Sequence, residues 1–376
     1  MACGKMALHR SSSVSTPDAC SVQAAHVLSY ADSLRGGGVE RALLRLAAGW
    51  VERGRRVTLV IGDPTGPLAA ELPAGVTVAC GALAVAVRAA VPDVVFCPGN
   101  YYTSRAAWMR WQLGAEAPPI VAKMSNAFVR PDFGAVGRWG NRRWLASYGR
   151  FVDALVAMTP ALAEEAAAVT GIPPARISVI PNPPAHVLPF AAPTSLPAGR
   201  YVLGVGRLVP QKRWDRLVAA LPRLADPSVA LAILGEGPER ARLQAQAASL
   251  GVADRLYLPG HAADPMPALE RAGVAALTSD YEGVPGVLRE ALAMGTPVVA
   301  TRSSRAIPEI ICDPALGTIV ARDDADALVA ALDRWLAPGA RRPAPVAAPG
   351  EDAASRYLAL FDTLLRERGP RQRTGP

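Results

Sequence analysis

The sequence predicts an α/β protein made of two doubly wound domains that face a central cleft. Short apolar runs, as expected for buried parallel strands, alternate along the chain with stretches whose apolar residues have helical spacing. An uncharged segment with six prolines, residues 181–199, interrupts this alternation, which starts again at residue 201. The length of 376 residues also suits two domains better than one. A cleft between such domains is the default ligand site.

The first half begins with a strand–helix–strand unit whose first turn is rich in glycine. An apolar strand is predicted at 24–30, a glycine-rich loop with a helix ending at Gly54 at 35–54, and a second strand at 56–62. The rest of this half continues the alternation. Further strands are predicted at 76–80, 93–97, 119–125, 153–158 and 177–181, and helices at 104–113, 135–150 and 160–170.

The second half repeats the pattern after the proline-rich break. Strands are predicted at 201–206, 229–234, 255–259, 274–278, 297–300 and 317–320. Helices are predicted at 213–225, 238–250, 266–271, 285–294, 324–337 and 352–367. The predicted organisation is a disordered extension (1–23), a first domain (24–183), a proline-rich linker (184–199), a second domain (200–350), a final helix (351–368) and a basic tail (369–376).

Positive charge is concentrated in the first half of the chain. Of the 40 Lys and Arg and the 32 Asp and Glu residues, positions 1–150 hold 17 and 9, so this part carries +8 and the remaining 23 and 23 cancel. Such asymmetry favours an anionic partner, namely a membrane surface, a nucleic acid or a phosphorylated substrate. An arginine-rich proteome gives the same bias.

The cysteines and the amino-terminal residues indicate a cytoplasmic protein. The five cysteines are odd in number, widely spaced and without a CxxC pair, which argues against a disulfide framework and a zinc site. The first 23 residues lack the apolar centre of a signal peptide. We therefore expect a reducing compartment and no metal site.

The stretch from Asp280 to Ala300 carries two glutamates, Glu282 and Glu290, at the start of a predicted helix. Pro285 suits the first helical position, because its missing N–H would have no partner there. Free amides at a helix amino terminus attract anions such as phosphate, and glycine lets a ligand approach the backbone. The predicted anion site, with one glutamate on each side, consists of Gly283, Val284, Pro285, Gly286 and Val287. The alternative is an ordinary strand–helix turn with two solvated glutamates.

A basic turn follows the first strand of the second domain. Arg207 and Lys212 lie five residues apart in the segment VGRLVPQK, directly after Gly206. Residues at the carboxyl ends of parallel strands line the crevice in which ligands bind. The arginine, by bidentate hydrogen bonds, and the lysine, as a point charge, would together bind a diphosphate. The alternative is a solvated basic turn.

Three weaker candidate sites come from other loops. The segment GGGVER departs from the GxGxxG pattern and has no clear acidic partner for a ribose, which disfavours a dinucleotide site, but Gly37 and Gly38 still permit close approach of a ligand. Asn126 follows a predicted strand and suits either a sugar hydroxyl or a turn. His261 follows another strand and either lines the cleft or serves only its loop.

Basic and aromatic residues are mixed in the predicted helix at 135–150. The residues predicted to contact a membrane or an acceptor are Arg138, Trp139, Arg142, Arg143 and Trp144. This composition suits a membrane interface and also single-stranded nucleic acid. The alternative is an amphipathic surface helix whose aromatic residues pack inward.

Together these motifs resemble the retaining glycosyltransferases of family 4, which have the GT-B fold. The segments GGVER, VIPNP, VGRLVPQK, LAILGEGPERARL and SDYEGVPGVLREALAMGTPVVA occur in the family's order and spacing, over about residues 25–365. The glutamate pair is the most specific part, followed by the arginine–lysine pair. The resemblance implies an α/β GT-B fold, that is, two doubly wound Rossmann-like domains facing a central cleft, with the final helix crossing back to the first domain.

The resemblance also implies roles for individual residues. Arg207 and Lys212 match the pair that holds the donor diphosphate, and Glu282 matches the glutamate near the donor sugar. Glu290 matches the glutamate that receives the ribose hydroxyls, and the glycines of GGVER match the loop beside the phosphates and the sugar. Many relatives also place a histidine near the sugar in the first domain, whereas this sequence reads MSNAF there.

The function that the resemblance implies is retaining transfer of a sugar from a nucleoside diphosphate sugar to a hydroxyl acceptor, without a metal ion or another cofactor. The first candidate donor is a UDP-sugar and the next is a GDP-sugar. The expected acceptor is a glycan or a lipid-linked saccharide of cell-surface polysaccharide synthesis, met in the cytoplasm or at the inner face of the membrane. One alternative is a nucleotide-sugar epimerase of the same architecture. The other is a non-catalytic basic protein that binds membranes or nucleic acid. For the favoured transferase, no nucleic acid is expected as a partner.

Overall fold

Two parallel β-sheets, one in each half of the chain, form the frame of the protein in the computed structural model. The structure describes residues 23–35, 37–128, 132–184, 196–262 and 264–368. Most of the predicted extension, most of the proline-rich linker and the whole predicted basic tail lie outside these residues. The two sheets with their helices confirm the predicted α/β class.

The first sheet, as far as the structure describes the chain, has seven parallel strands. They are β1 (His26–Ser33), β2 (Arg56–Asp63), β3 (Val76–Ala79), β4 (Val94–Cys97), β5 (Ile120–Lys123), β6 (Ala154–Ala157) and β7 (Ile177–Val179). Their order is β3-β2-β1-β4-β5-β6-β7. Val27 of β1 pairs with Val57 of β2 on one side and with Val94 of β4 on the other. The winding direction therefore reverses between β1 and β4, which is where ligands bind in open α/β sheets.

The second sheet has six parallel strands within the described residues. They are β8 (Tyr201–Val205), β9 (Ala230–Leu234), β10 (Leu256–Gly260), β11 (Val274–Leu277), β12 (Val298–Thr301) and β13 (Gly317–Val320). Their order is β10-β9-β8-β11-β12-β13. Val202 of β8 pairs with Leu231 of β9 and with Val274 of β11, so the winding reverses between β8 and β11.

Helices connect the strands in both halves. In the first half they are α1 (Gly38–Glu52), α2 (Leu83–Ala90), α3 (Thr103–Leu113), α4 (Ala135–Leu145) and α5 (Pro160–Thr170). In the second half they are α6 (Trp214–Ala220), α7 (Arg240–Ser249), α8 (Met266–Arg271), α9 (Gly286–Ala293), α10 (Ile307–Ile310) and α11 (Ala325–Leu336). The last helix is α12 (Ala353–Arg368).

Helices α4 and α6 are shorter than predicted, and helices α2 and α10 are absent from the prediction. Helix α4 ends five residues early, because Ser147 donates both its amide and its hydroxyl to the carbonyl of Trp144 and so tightens the last turn. Helix α6 stops at Ala220 instead of residue 225, since Pro222 in the following 3-10 turn has no N–H to continue the helix. Helix α2 is not predicted at all, because its sequence LAVAVRAA has almost no polar positions to reveal a helical period.

The final helix packs against the first half of the protein. Tyr357 and Phe361 of α12 lie beside Trp50 of α1 and Phe96 of β4, with ring centroids between 5.1 and 6.4 Å apart. A Cβ at Gly49 would lie 2.6 Å from that of Ala354, so the glycine allows the two helices to approach closely. The chain thus returns from the second sheet to the first.

The carboxyl ends of the two sheets face a common cleft. Gly283, which follows β11, lies against the backbone of Ser125 and Asn126, which follow β5. Loops from both halves therefore line this space, where open α/β sheets bind their ligands. Within the described residues, no helix combines the length and the apolar character that are needed to cross a bilayer.

Candidate active site

A largely buried ion pair joins the basic turn to the glutamate loop. Lys212, in the loop after β8, donates from Nζ to Oε1 of Glu282, in the loop after β11, at 2.6 Å. Ser279 donates from Oγ to the same oxygen at 2.5 Å. Glu282 is only 9% exposed, so the ammonium offsets the hydration that the carboxylate has lost. A diphosphate bound by Lys212 would have to share this ammonium with Glu282.

Further contacts between the two loops fix this pair. Gln211 donates from Nε2 to the carbonyl of Tyr281 at 2.8 Å, and its own carbonyl accepts from the amide of Asp280 at 2.9 Å. Thr278 donates from Oγ1 to the carbonyl of Arg213 at 2.9 Å. Because β8 and β11 are neighbours in the sheet, the loops leave it side by side. Residues 70 positions apart in sequence are thus held in contact.

Arg207 supplies a second cation at this edge. Its side chain is exposed and has no hydrogen-bond or ion-pair partner within the described part of the chain, while its carbonyl accepts from Nε1 of Trp214 at 3.0 Å. Gly206 before it has a φ of 151°, and a Cβ there would lie 3.3 Å from Cε of Lys212. The basic turn therefore presents one exposed cation, Arg207, and one cation paired with Glu282, Lys212.

The helix next to this pair starts one residue later than predicted. Pro285 has a ψ of 102°, so it is the extended residue before α9 and Gly286 is the first helical residue. The side chains of Val284 and Val287 pack against the core of the second half, so only their backbone amides suit a ligand. The first four amides of an α-helix have no partner inside it, and Gly286 is exposed. Anion binding here stays a prediction that rests on these amides.

The same loop touches the first half of the protein. A Cβ at Gly283 would lie 2.4 Å from the carbonyl oxygen of Ser125 and 2.8 Å from Cα of Asn126. Tyr281 donates from its hydroxyl to Oδ2 of Asp132 at 3.1 Å. The cleft is therefore narrow at this point, and a side chain at position 283 would push the two loops apart.

Glu290 lies in the second turn of α9 and faces two arginines from across the cleft. Burial raises the pKa of the Glu290 carboxyl, Arg45 and Arg41 of α1 lower it, and Asp264 raises it. Arg41 also forms an ion pair with Glu71 at 3.5 Å. Neither arginine is among the predicted site residues, although a spacing of four on a helix that follows the glycine-rich loop places them on one face.

Two family models match the two halves of the chain. The model described as Glycosyltransferase Family 4 matches residues 36–183, and the one described as Glycosyl transferases group 1 matches residues 193–345, which include Lys212, Glu282 and Glu290. The chain belongs to the group 1 glycosyltransferases. The family that the sequence motifs indicate is therefore confirmed.

Relatives of similar sequence are named as sugar transferases. The GDP-mannose-dependent alpha-(1-6)-phosphatidylinositol monomannoside mannosyltransferase of Mycolicibacterium smegmatis is 40% identical over 181 residues, which are 45% of this chain and 46% of that protein. The 2-deoxystreptamine N-acetyl-D-glucosaminyltransferase of Streptomyces fradiae is 31% identical over 227 residues, which are 56% of this chain and 52% of that protein. The chain thus spans about half the length of these curated relatives.

Solved structures with low sequence identity share the architecture. Anabaena Alr3699/HepE, in complex with UDP and glucose, has a TM-score of 0.68 at 20% identity, covering 91% of this chain and 98% of its own. Sucrose-phosphate synthase from Thermosynechococcus elongatus has a TM-score of 0.68 at 19% identity with the same coverage. At such low sequence identities the structural similarity concerns the fold alone. Together with the two parallel sheets, it confirms the predicted GT-B fold.

The predicted glycine loop of the first half lies at the start of α1. A Cβ at Gly37 would lie 2.1 Å from Oε2 of Glu40, whereas a Cβ at Gly38 would meet nothing within 4 Å. The other carboxylate oxygen of Glu40 accepts from the hydroxyl of Tyr102 at 2.5 Å. Gly38 is therefore open to a ligand, while Gly37 is covered by the Glu40 side chain.

The loop after β5 is held by asparagines. Asn126 donates from Nδ2 to the hydroxyl of Tyr101 at 2.8 Å, and its Oδ1 accepts from the amide of Ala127 at 2.8 Å. The side chain is thus used within its loop, as in the turn role, and contact with a sugar stays a prediction. Asn100, which is not among the predicted residues, accepts on Oδ1 from the amide of Ser125 at 2.7 Å. The position of Asn100 directly after a predicted strand, in the segment CPGN, is the sequence feature that could have identified it as a cleft residue.

His261 lies where residues of both halves approach one another. Loss of hydration and the nearby Arg41 lower the pKa of His261, whereas Glu71 and Glu236 raise it. Arg41 and Glu71 belong to the first half and Glu236 to the second. Charges from both halves thus act on His261, and its contact with the donor stays a prediction.

The basic and aromatic residues of α4 divide into two groups. Arg138, Trp139, Arg142 and Arg143 are exposed, Trp139 by 67%. Trp144 instead stacks on Phe151 with ring centroids 5.5 Å apart and is half-buried. Trp144 therefore packs inward, as in the alternative of an amphipathic surface helix, because the chain after α4 folds back and gives its ring an aromatic partner. Membrane contact of α4 stays a prediction.

Proposed function

We propose that this protein transfers a sugar from a nucleoside diphosphate sugar to a hydroxyl acceptor, with retention of anomeric configuration. The observation that carries the proposal is the pairing of Lys212 with Glu282 at the carboxyl edge of the second sheet, with the exposed Arg207 beside it. A departing nucleoside diphosphate gains negative charge, which fixed cations stabilise strongly in a cleft that excludes water. The named activities of the sequence relatives support the same reaction class.

The carboxylates favour attack of the acceptor from the side of the leaving group. Retaining hydrolases need two carboxylates close to the anomeric carbon. Glu290 lies within electrostatic reach of Arg45 and Arg41. We assign it to the ribose, as the resemblance implies, which leaves Glu282 alone near the sugar. We therefore propose an oxocarbenium-like transition state in which the acceptor hydroxyl gives its proton to the leaving phosphate. Arg207, Lys212 and the first amides of α9 supply the positive charge, so the proposal requires no metal ion.

Nucleotide sugars are expected to raise the melting temperature of the protein, with UDP-sugars first and GDP-sugars next. One relative is named as GDP-mannose-dependent, and the Anabaena neighbour was solved with UDP and glucose. A ligand that binds only the native state at 100 times its Kd stabilises it by about 2.7 kcal/mol. The measurement is a thermal-shift screen of UDP-, GDP- and ADP-sugars, in which no shift with any donor would contradict the proposal.

A labelled donor distinguishes the epimerase alternative. We incubate the donor that gives the largest shift with the enzyme and no acceptor, and separate the products by chromatography. An epimerase converts the donor to its isomer under these conditions, whereas the proposed transferase leaves it unconverted apart from slow hydrolysis. Isomer formation, or a covalent sugar adduct trapped on Glu282, would overturn the proposed reaction.

Acidification is expected to weaken UDP binding more in the wild type than in Glu290→Gln. A ribose hydroxyl donates best to an ionised carboxylate, and burial raises the pKa of Glu290 above its ordinary 4.5. The binding-competent charged form predominates above this raised pKa, so affinity falls as the pH drops through it. The measurement is the Kd of UDP by calorimetry at a series of decreasing pH values. UDP phosphate and His261 titrate in both proteins, so identical pH profiles would exclude a role for the Glu290 carboxylate.

We further propose that the acceptor is lipid-linked and is met at an anionic membrane surface. Helices α2, α3 and α4 together contain six arginines and no Asp or Glu. Arg105 and Arg110 pair with Asp32 and Asp153, and the other four have no ion-pair partner among the described residues. The exposed apolar side chains on the same helices are Val85 (64%), Trp108 (58%), Trp111 (71%), Val136 (82%) and Trp139 (67%). Exposed tryptophan combined with arginine suits a lipid interface.

Replacing Arg142 and Arg143 with serine is expected to weaken binding to anionic liposomes by about 30-fold, since each basic residue near such a surface contributes ~1 kcal/mol. Both arginines are exposed on α4, so the fold should be kept. The measurement is co-sedimentation with liposomes of increasing anionic lipid content. Arg142→Lys/Arg143→Lys keeps the charge and should bind nearly normally. Unchanged sedimentation of the serine variant would contradict the membrane proposal.

A further inference from the structure

A second charged cavity lies on the side of the first sheet opposite to the cleft. Its volume is about 440 Å³, and the charged residues that line it are Arg110, Arg150, Asp153, Arg176, Glu367 and Arg368. Asp153 directly precedes β6, and Arg176 directly precedes β7. The cavity is therefore at the amino ends of these strands, away from Lys212 and Glu282. Four guanidinium groups against two carboxylates give it a net positive charge.

The single carboxylate at the centre of this cluster is already used. Asp153 accepts on Oδ2 from Arg110 and from the amide of Ile120, the latter at 2.7 Å, and on Oδ1 from Arg368 at 2.6 Å. Arg176 donates from Nε to the carbonyl of Asp153 at 2.7 Å and from Nη2 to that of Val152. These bonds hold three guanidinium groups in place, which is the preorganisation that anion binding benefits from.

Arg110 and Arg150, which line the cavity, have hydrogen-bond donors without acceptors within the ranges that the structure describes. Nε of Arg110 is buried with no hydrogen-bond partner in the described part of the chain, and leaving such a group unpaired is costly. The side chain of Arg150 is exposed and has no hydrogen-bond or ion-pair partner among the described residues. The pKa of Arg110 is lowered, mainly by burial and also by the nearby charge of Arg368, although Asp153 acts in the opposite direction. The contribution of Arg368 shows that positive charges lie close together here. Glu367 is exposed at the same rim and neutralises only part of this charge.

We infer that this cavity binds the phosphate group of a ligand, at a site separate from the donor cleft. Guanidinium groups fit phosphate oxygens with two parallel hydrogen bonds, which an ammonium does not provide. A cavity of about 440 Å³ lies within the range of roughly 300–1,000 Å³ for small-molecule sites, so it has room for a phosphate and part of the group attached to it. The phosphate belongs either to a soluble phosphorylated compound or to the headgroup of a lipid, and both present the same oxygens.

Inorganic pyrophosphate tests the shared phosphate chemistry. The experiment uses full-length protein with Arg207→Ala and Lys212→Ala, so that the cleft loses both cations of its basic turn, and it does not depend on the proposed transfer reaction. Calorimetry should show one site, and adding Arg150→Ser should weaken it by about tenfold or more, as expected for loss of a charge-assisted contact. The matched control is Arg341→Ser, at an exposed arginine of the second half, which should leave the affinity unchanged. Melting temperatures of all variants report that they are folded.

Vesicles separate the two sources of the phosphate. Co-sedimentation is measured with phosphatidylcholine vesicles that contain phosphatidic acid, whose headgroup is a phosphate monoester, and with pure phosphatidylcholine. If the ligand is a lipid, Arg150→Ser lowers binding to the phosphatidic acid vesicles and pyrophosphate competes with them. If the ligand is soluble, Arg150→Ser lowers only the affinity for pyrophosphate. Unchanged pyrophosphate affinity in Arg150→Ser would overturn the inference, whatever the vesicles show.

Discussion

Replacing Lys212 with alanine is expected to lower kcat/KM for sugar transfer by about 10²–10³, the usual cost of removing one preorganised electrostatic contact to a transition state. The Lys212 ammonium lies 2.6 Å from Glu282 Oε1, the carboxylate that is predicted to lie near the donor sugar. It is therefore the cation best placed to meet charge that develops on the departing diphosphate. We do not expect Arg207 to substitute for it, because the Arg207 side chain is exposed and has no ion-pair partner within the described residues.

Stability must be separated from catalysis in this variant. Without Lys212, Glu282 keeps the Ser279 hydroxyl as its side-chain partner and is only 9% exposed, so its negative charge becomes costly. The double variant Lys212→Ala/Glu282→Gln removes that charge, and we expect it to melt at a higher temperature than Lys212→Ala while remaining inactive. Single-turnover rates and thermal melts on wild type, both single variants and the double variant complete the cycle. A folded Lys212→Ala enzyme with wild-type kcat/KM would show that Lys212 has no part in transfer.

The sequence predicts those parts of the site that depend on one strand and the loop after it. Lys212 and Glu282 each follow an apolar run, and carboxyl ends of parallel strands meet at one edge of a sheet. Their contact at 2.6 Å depends in addition on β8 and β11 being neighbours. Residue spacing does not specify which strands pair, and this was available only from the resemblance to family 4.

Residues that depend on the arrangement of the two halves are not predictable from local pattern. Arg41 and Arg45 read as ordinary positions of an amphipathic helix, and they become site residues only because α1 faces Glu290 across the cleft. Asn126 and Trp144 show the same limit at shorter range. The sequence around Asn126 suggests a sugar contact, but its side chain donates a hydrogen bond to Tyr101. The sequence around Trp144 suggests a membrane contact, but its ring stacks on Phe151.

Replacing Trp50 with alanine is expected to destabilise the protein by about 3–5 kcal/mol, the usual cost of deleting a fully buried aromatic side chain. Trp50 is 0% exposed, and its ring lies in edge contact with Phe96, Tyr357 and Phe361. The measurement is unfolding in urea followed by circular dichroism. The matched control is Trp139→Ala, whose side chain is 67% exposed and whose loss should change stability by no more than about 0.5 kcal/mol.

The loss at Trp50 should also reduce sugar transfer, because two of its three ring partners belong to α12. That helix reaches the first half only after the chain has completed the second sheet, so its docking connects the halves whose loops form the cleft. Trp50→Phe retains an aromatic ring and removes Nε1, which is buried without a hydrogen-bond partner in the described residues. We therefore expect Trp50→Phe to keep most of the stability and the activity that Trp50→Ala loses. Equal losses in both variants would mean that the indole itself, and not the aromatic packing of α12, holds the halves together.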